Sequence, residues 1–253
     1  MYYNRIIPCL LLQNQGLVKT IGFKKPVYIG DPINAVKIFN DKEVDELIFL
    51  DIEATREKRS PNFAYLKIIA EQCFMPLCYG GGISSIEDIR QLFSIGFEKV
   101  SINSSILKNP QLISEAAGIF GSQSIIGAMD VKKNVFGKKQ VYMSRGQHAT
   151  GITPVEYAKY LESLGVGEIF LNSIDADGKM DGYDLHVVQE VADAVRVPVI
   201  ACGGAGNIED MGRVVKEAHA GAAAAGSLFV FWGENKAVLI NYPDKTKIAA
   251  VIG

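Results

Sequence analysis

One tryptophan, three histidines and four cysteines are spread over 253 residues, and each scarcity removes a class of function. His148, His186 and His219 have no ligand-like spacing, so no metal site is expected. Cys9, Cys73, Cys78 and Cys202 lie in apolar runs without CxxC spacing, which points to buried thiols in a reducing cytosol rather than to disulfides or zinc. An excess of one charge is also lacking. Against 28 Asp plus Glu stand 26 Lys plus Arg, with no dense basic stripe, so nucleic acid is not an expected partner. No segment approaches the ~20 apolar residues that span a bilayer, and the N-terminus lacks a long apolar stretch followed by a small-residue cleavage site. A cytoplasmic protein without membrane insertion, metal or cofactor is the expectation. Trp232, beside Phe229-Val230-Phe231, reads as core packing rather than a ligand platform.

What is present is a regular alternation. Hydrophobic residues make up 48% of the chain, and short apolar runs alternate with amphipathic segments, the pattern of parallel strands buried on both faces and covered by helices. Eight runs fit strands, at residues 6–12, 46–51, 75–79, 99–103, 125–131, 168–172, 197–202 and 222–226. Asp31-Pro32 fits an N-cap with Pro at the first helical position, ahead of Ala35, Val36, Ile38 and Phe39 on one face. Eight strand-helix units in this length predict one closed α/β domain over residues 1–253, a (β/α)8 TIM barrel.

The chain also repeats at about half its length. Pro76-Leu77-Cys78-Tyr79-Gly80-Gly81-Gly82, then Ile86-Glu87-Asp88-Ile89, returns as Pro198-Val199-Ile200-Ala201-Cys202-Gly203-Gly204, then Ile208-Glu209-Asp210-Met211. Two half-barrels, about 1–122 and 123–253, are therefore expected. A glycine pair at a strand end lets backbone N–H groups approach an anion, since no Cβ intervenes. Gly81-Gly82 and Gly203-Gly204 are such pairs, and the next strand of each half ends in small hydroxyl residues ahead of a helix, at Ser104-Ser105 and Gly226-Ser227. Each half can thus build one phosphate cradle, the second at the common phosphate position of the fold. The bland alternative is that these glycines only make tight turns.

At this point the motifs resemble the cyclase subunit of imidazole glycerol phosphate synthase over almost the whole chain. The matching stretches include Asp45-Glu46-Leu47-Ile48-Phe49-Leu50-Asp51-Ile52, Lys99-Val100-Ser101-Ile102-Asn103, Ser173-Ile174-Asp175-Ala176-Asp177-Gly178 and Gly203-Gly204-Ala205-Gly206. The resemblance implies a heterodimer with a partner glutaminase, whose ammonia crosses the barrel interior to a bisphosphorylated, sugar-type substrate. It implies catalytic roles for Asp130, Asn103 and Asp177 and adds Lys19 and Gly178 to the phosphate contacts. Arg5, Glu46, Lys99 and Glu168 match the charged entrance of that family's ammonia conduit. Each begins a strand, at the barrel floor, where apolar layers are the norm. Two acids and two bases can also simply pair as a plug, and a plug that opens is a gate.

The resemblance breaks at one catalytic position. The cyclase carries an aspartate at the ends of its first and fifth strands; here Asp130 remains, but its repeat-mate is Leu11. Loss of one proton-transfer group typically costs ~10² to 10⁴ in rate. Asn172 stands where the cyclase has Thr. These departures, with Leu10-Leu11-Leu12, Ala54-Thr55-Arg56 and Cys73-Phe74-Met75, resemble a divergent branch associated with surface-polysaccharide (LPS) synthesis. There ammonia serves a sugar amidotransferase that turns an acetamido into an acetamidino group. Three readings stand: a cyclase-like subunit of such a sugar-amidating system, a genuine histidine-biosynthesis cyclase whose acid has moved to Asp51 or Asp177, and a non-catalytic ammonia conduit. Asp51, Asp175 and Asp177 serve equally as substrate contacts or turn residues. The loop 132–151, with Lys133, Lys138, Lys139 and Arg145, either closes over an anionic substrate or is simply solvated.

Overall fold

The computed structural model describes residues 4–233 and 235–252. Eight parallel strands form a ring: β1 (Arg5–Gln13), β2 (Leu47–Asp51), β3 (Leu77–Gly80), β4 (Lys99–Ile102), β5 (Ile125–Lys133), β6 (Glu168–Ser173), β7 (Val199–Cys202) and β8 (Ala222–Ala225). Each pairs with its sequence neighbours, and β8 closes on β1. The eight covering helices are α1 (Pro32–Asp41), α2 (Phe63–Ala70), α3 (Ile86–Ser94), α4 (Gln111–Phe120), α5 (Pro154–Ser163), α6 (Leu185–Ala192), α7 (Ile208–Lys216) and α8 (Lys245–Ile252). The fold is the expected (β/α)8 barrel. Among the described residues, no helix is long and apolar enough to cross a membrane.

Strand residues alternate between two apolar compartments, as a period of two requires. Outward residues such as Ile6, Leu10, Phe49 and Leu171 pack against the helices. Inward residues, among them Ile7, Ile48, Ile126, Phe170 and Ile200, fill a separate lumen cluster. The repeated Ile-Glu-Asp motif has a local cause. Asp88 accepts from the Ser85 N–H while Ser85 Oγ accepts from the Asp88 N–H, and Asp210 and Asn207 do the same. These are capping boxes, each contributing about 1 kcal/mol, and they start α3 and α7 directly after the glycine turns. Asp31 caps α1 as expected, with Pro32, Ala35, Val36 and Phe39 buried.

Several expectations are corrected. Residues 132–151 are not an irregular loop: β5 runs to Lys133 and pairs antiparallel with Lys139–Met143, which in turn pairs with His148–Ala149. A second hairpin, Gly16–Ile21 with Lys24–Gly30, continues from β1. Trp232 is 61% exposed, whereas Phe229 and Val230 are buried, so only part of that aromatic run packs in the core. Cys9, Cys78 and Cys202 are buried, but Cys73 is half-buried. Ser104-Ser105 and Gly226-Ser227 do not start α-helices. The first pair lies in turns before α4, which begins at Gln111, and the second opens a three-residue 3-10 turn, Ser227–Phe229. Any anion there meets turn N–H groups rather than a helix dipole.

Candidate functional site

Beyond the C-terminal ends of the strands lies a cavity of about 390 Å³. Gly81, Gly82 and Ser104 line it from the first half of the chain, and Gly178, Gly203, Gly204, Gly226 and Ser227 from the second, together with Lys19, Asn103, Asp130, Asn172 and Asp177. Closed topology brings them together: the residues expected to hold phosphates and those expected to hold protons share one chamber. The glycines have a structural reason as well. A Cβ on Gly82 (φ 70°) would stand 2.4 Å from the Arg59 carbonyl oxygen, and one on Gly204 (φ 116°) 2.0 Å from that of Gly182. Tight packing and an open backbone are thus provided by the same turns.

Lys19 is buried, 7% exposed, and its ammonium donates to the Cys9 carbonyl at 2.9 Å. Its ammonium lies where a side chain on Gly226 would begin, 1.7 Å from that ideal Cβ. The absence of a side chain at Gly226 is what admits a cation beside the second-half turn. On the other side of the chamber Asn103 Nδ2 donates to Asp130 Oδ2 at 2.9 Å. Burial pushes the Asp130 carboxyl up to about 7, the Asn103 donor pulling it down and the nearby Asp177 charge adding to the rise. Asp177 is itself pushed up by burial, against the pull of the Lys19 ammonium and the donors Phe23 N–H and Thr20 Oγ1. A carboxyl titrating near neutrality beside a cavity is what proton transfer requires.

Asp51 and Asp175 have structural partners as well, although Asp51 also lines the cavity. Asp51 accepts from the Glu53 and Ala54 N–H groups and pairs with Arg59 at 2.9 Å; Asp175 accepts from the Lys133 N–H at 2.8 Å. Leu11 lines the cavity, half-buried, at the end of β1. Among the described residues no group of three or more His, Cys, Asp or Glu side chains could hold a metal ion.

At the opposite end of the lumen the four charged residues form a closed ring. Arg5 Nη1 meets Glu46 Oε2 and Arg5 Nη2 meets Glu168 Oε1, each at 2.5 Å; Lys99 Nζ meets the same two acids at 2.9 and 3.2 Å. Every acid touches both bases. Inspection of the sequence did not reveal Glu53 as a site residue. It is 2% exposed and joins Gln13, Arg56 and Arg145 at the cavity mouth. No local signal marks it, because Arg145 lies 92 residues away in the chain.

The profile of a family described as "Histidine biosynthesis protein" matches residues 5–233. The chain is 52% identical, over 98% of its length and 99% of the other, to a Pseudomonas aeruginosa protein named "Putative imidazole glycerol phosphate synthase subunit hisF2". It is 46% identical, over 98% and 95%, to the Vibrio vulnificus protein named "Putative imidazole glycerol phosphate synthase subunit hisF3". It is 44% identical, over 90% and 91%, to "Imidazole glycerol phosphate synthase subunit HisF" of Alkaliphilus metalliredigens.

Proposed function

The chain belongs to the histidine biosynthesis protein family, among relatives of the HisF subunit, and from that premise we propose that it is the ammonia-using subunit of a glutamine amidotransferase complex. A glutaminase docks at the floor, the Arg5-Glu46-Lys99-Glu168 ring gates ammonia into the lumen, and a small molecule with two phosphates is held at the far end. One observation carries this reading: both glycine turns, Lys19 and the Asn103–Asp130 pair line one chamber, while the ring of paired charges closes the other end of the same lumen.

The product is proposed to serve sugar amidation in surface-polysaccharide synthesis, with a sugar amidotransferase as further partner. Leu11 supports this, since an apolar side chain stands where the ring-closing reaction needs its second proton-transfer group. The purified protein, supplied with ammonium and the histidine-pathway cyclase substrate, is expected to form no imidazole glycerol phosphate; robust turnover would remove the sugar-amidating reading. The second reading, a genuine histidine-pathway cyclase, draws support from Asp177, a half-buried carboxyl on the same cavity whose charge reaches Asp130. Rescue of a cyclase-deficient strain would establish that reading instead. A mere conduit would tolerate Asp130→Asn without loss of pathway output.

A further inference from the structure

At the mouth of the same chamber a buried carboxylate gathers two guanidinium groups. Glu53 Oε1 accepts from Arg145 Nη1 at 2.9 Å and from Gln13 Nε2 at 3.1 Å, and its Oε2 lies 2.5 Å from Arg56 Nη2. Arg145 Nη2 also donates to the Phe23 carbonyl at 3.3 Å. Arg56 and Arg145 both line the cavity. Neutralising Glu53 needs one arginine; with two, the cluster keeps a positive charge. Each guanidinium carries five N–H donors, and the contacts above leave most of them free to meet a ligand. Ser144 and Arg145, at φ 53° and 60°, form the turn of the hairpin between Lys139–Met143 and His148–Ala149, where left-handed residues are ordinary, and this turn sets Arg145 opposite Glu53.

We infer that Arg56 and Arg145, held by Glu53, form a fork for an oxyanion of the bound molecule, a carboxylate or a phosphate beyond those met at the glycine turns. The inference rests on the reading that the chamber takes a phosphorylated small molecule. Planar guanidinium forks match an oxyanion in two contacts at once, which a lysine does not. Glu53 is a positioning residue. It competes with the ligand for the same N–H donors, so ligand entry draws the arginines from Glu53 and frees the segment around Arg145 that spans the mouth.

Calorimetric titration of the purified protein with glucose 1-phosphate, glucuronate 1-phosphate and glucose 1,6-bisphosphate tests this. The first two differ only by a carboxylate at C6. Glucuronate 1-phosphate is expected to bind at least ~10-fold more tightly than glucose 1-phosphate, and Arg56→Ala, Arg145→Ala and Arg145→Lys each to abolish most of that advantage. The lysine variant keeps the ion pair and guards against simple loss of fold. Glu53→Gln, which removes the competing charge, should tighten glucuronate 1-phosphate several-fold, a gain that a purely structural latch would not produce. If the arginine variants instead erase the advantage of the bisphosphate, the fork takes a phosphate and the inference stands for that class. Unchanged preferences in all the arginine variants overturn it and leave Glu53–Arg145 as a latch alone. If the wild-type protein binds none of the three probes, the phosphate reading of the chamber falls, and this inference with it.

Discussion

Asp130 is the residue at which sequence, burial and chemistry meet most closely. Its carboxyl is pushed from the ordinary range up to about 7, so the folded protein keeps a proton that the unfolded chain releases near pH ~4. The stability from the neutral form is fully present below that lower value and is lost as pH rises to about 7. Asp130→Asn has no such proton to lose. Its stability relative to wild type should therefore increase between pH ~4 and ~7, by roughly 2–4 kcal/mol, and level off above. Urea melts at a series of pH values measure this, and parallel curves for the two proteins would refute the assignment. Asp130 was legible in the sequence through the resemblance to the cyclase, which carries an aspartate at that strand end. How far its carboxyl is raised was not legible, since that depends on burial inside the closed barrel and on Asn103 and Asp177, which follow other strands.

Among elements, the charged ring at the floor shows how position in a strand decides the energetics of a side chain. Arg5, Lys99 and Glu168 each begin a barrel strand and Glu46 immediately precedes β2, so their side chains enter the lumen below its apolar layers. Glu46 is the most buried of the four, at 2% side-chain exposure, against 21% for Arg5 and 18% for Lys99. Removing it leaves two cations facing only Glu168. Glu46→Ala is expected to cost about 2–3 kcal/mol, less than for a fully buried pair because both cations remain partly wetted. Lys99→Ala, which leaves Arg5 to serve both acids, should cost less. Chemical denaturation of the two variants orders them, and a larger loss for Lys99→Ala would contradict the ring's geometry. The ring residues stand out in the sequence as charges at strand starts; their mutual contacts are a property of closure. The two β-hairpins were not read from the sequence. Lys24–Gly30 is mostly exposed, so it lacks the buried alternation by which strands are recognised.

For the whole molecule, the register of the barrel reveals an asymmetry between its halves. Leu11 pairs with Leu50 as Asp130 pairs with Asn172, and Ala223 pairs with Ile6 as Val100 pairs with Ile125. Counting three residues on from Ala223 and Val100, Gly226 corresponds to Asn103. The hydrogen-bonded pair Asn103–Asp130 thus has Gly226–Leu11 as its counterpart, and the space at Gly226 is taken by the Lys19 ammonium. One side of the chamber holds a buried carboxyl pushed up to about 7; the other holds the Lys19 side chain beside an apolar wall. Leu11→Asp restores a second carboxyl at the cavity edge. Its expected outcome is a folded protein, destabilised by about 1–2 kcal/mol, with imidazole glycerol phosphate formed where the wild type forms none. A single-turnover assay with ammonium measures this; no gain would mean that the chamber has lost more of the ring-closing chemistry than Leu11 accounts for.

By itself the sequence determined the strand count, the repeat and the cap of α1, and its resemblance to the cyclase named Lys19, Asn103, Asp130 and Asp177 of the chamber but not Thr20, Arg56, Ser101 or Gln147. The strands, the repeat and the cap are written in local periodicity or in short strings whose conformation depends on their own neighbours. Tertiary structure alone decided what required distant segments to meet: the closed ion-pair ring, the seat of Lys19 against Gly226, and the grip of Glu53 on Arg145. Those contacts follow from eight strands closing on themselves, which places residues about a hundred positions apart within hydrogen-bonding reach and leaves no trace in the spacing along the chain.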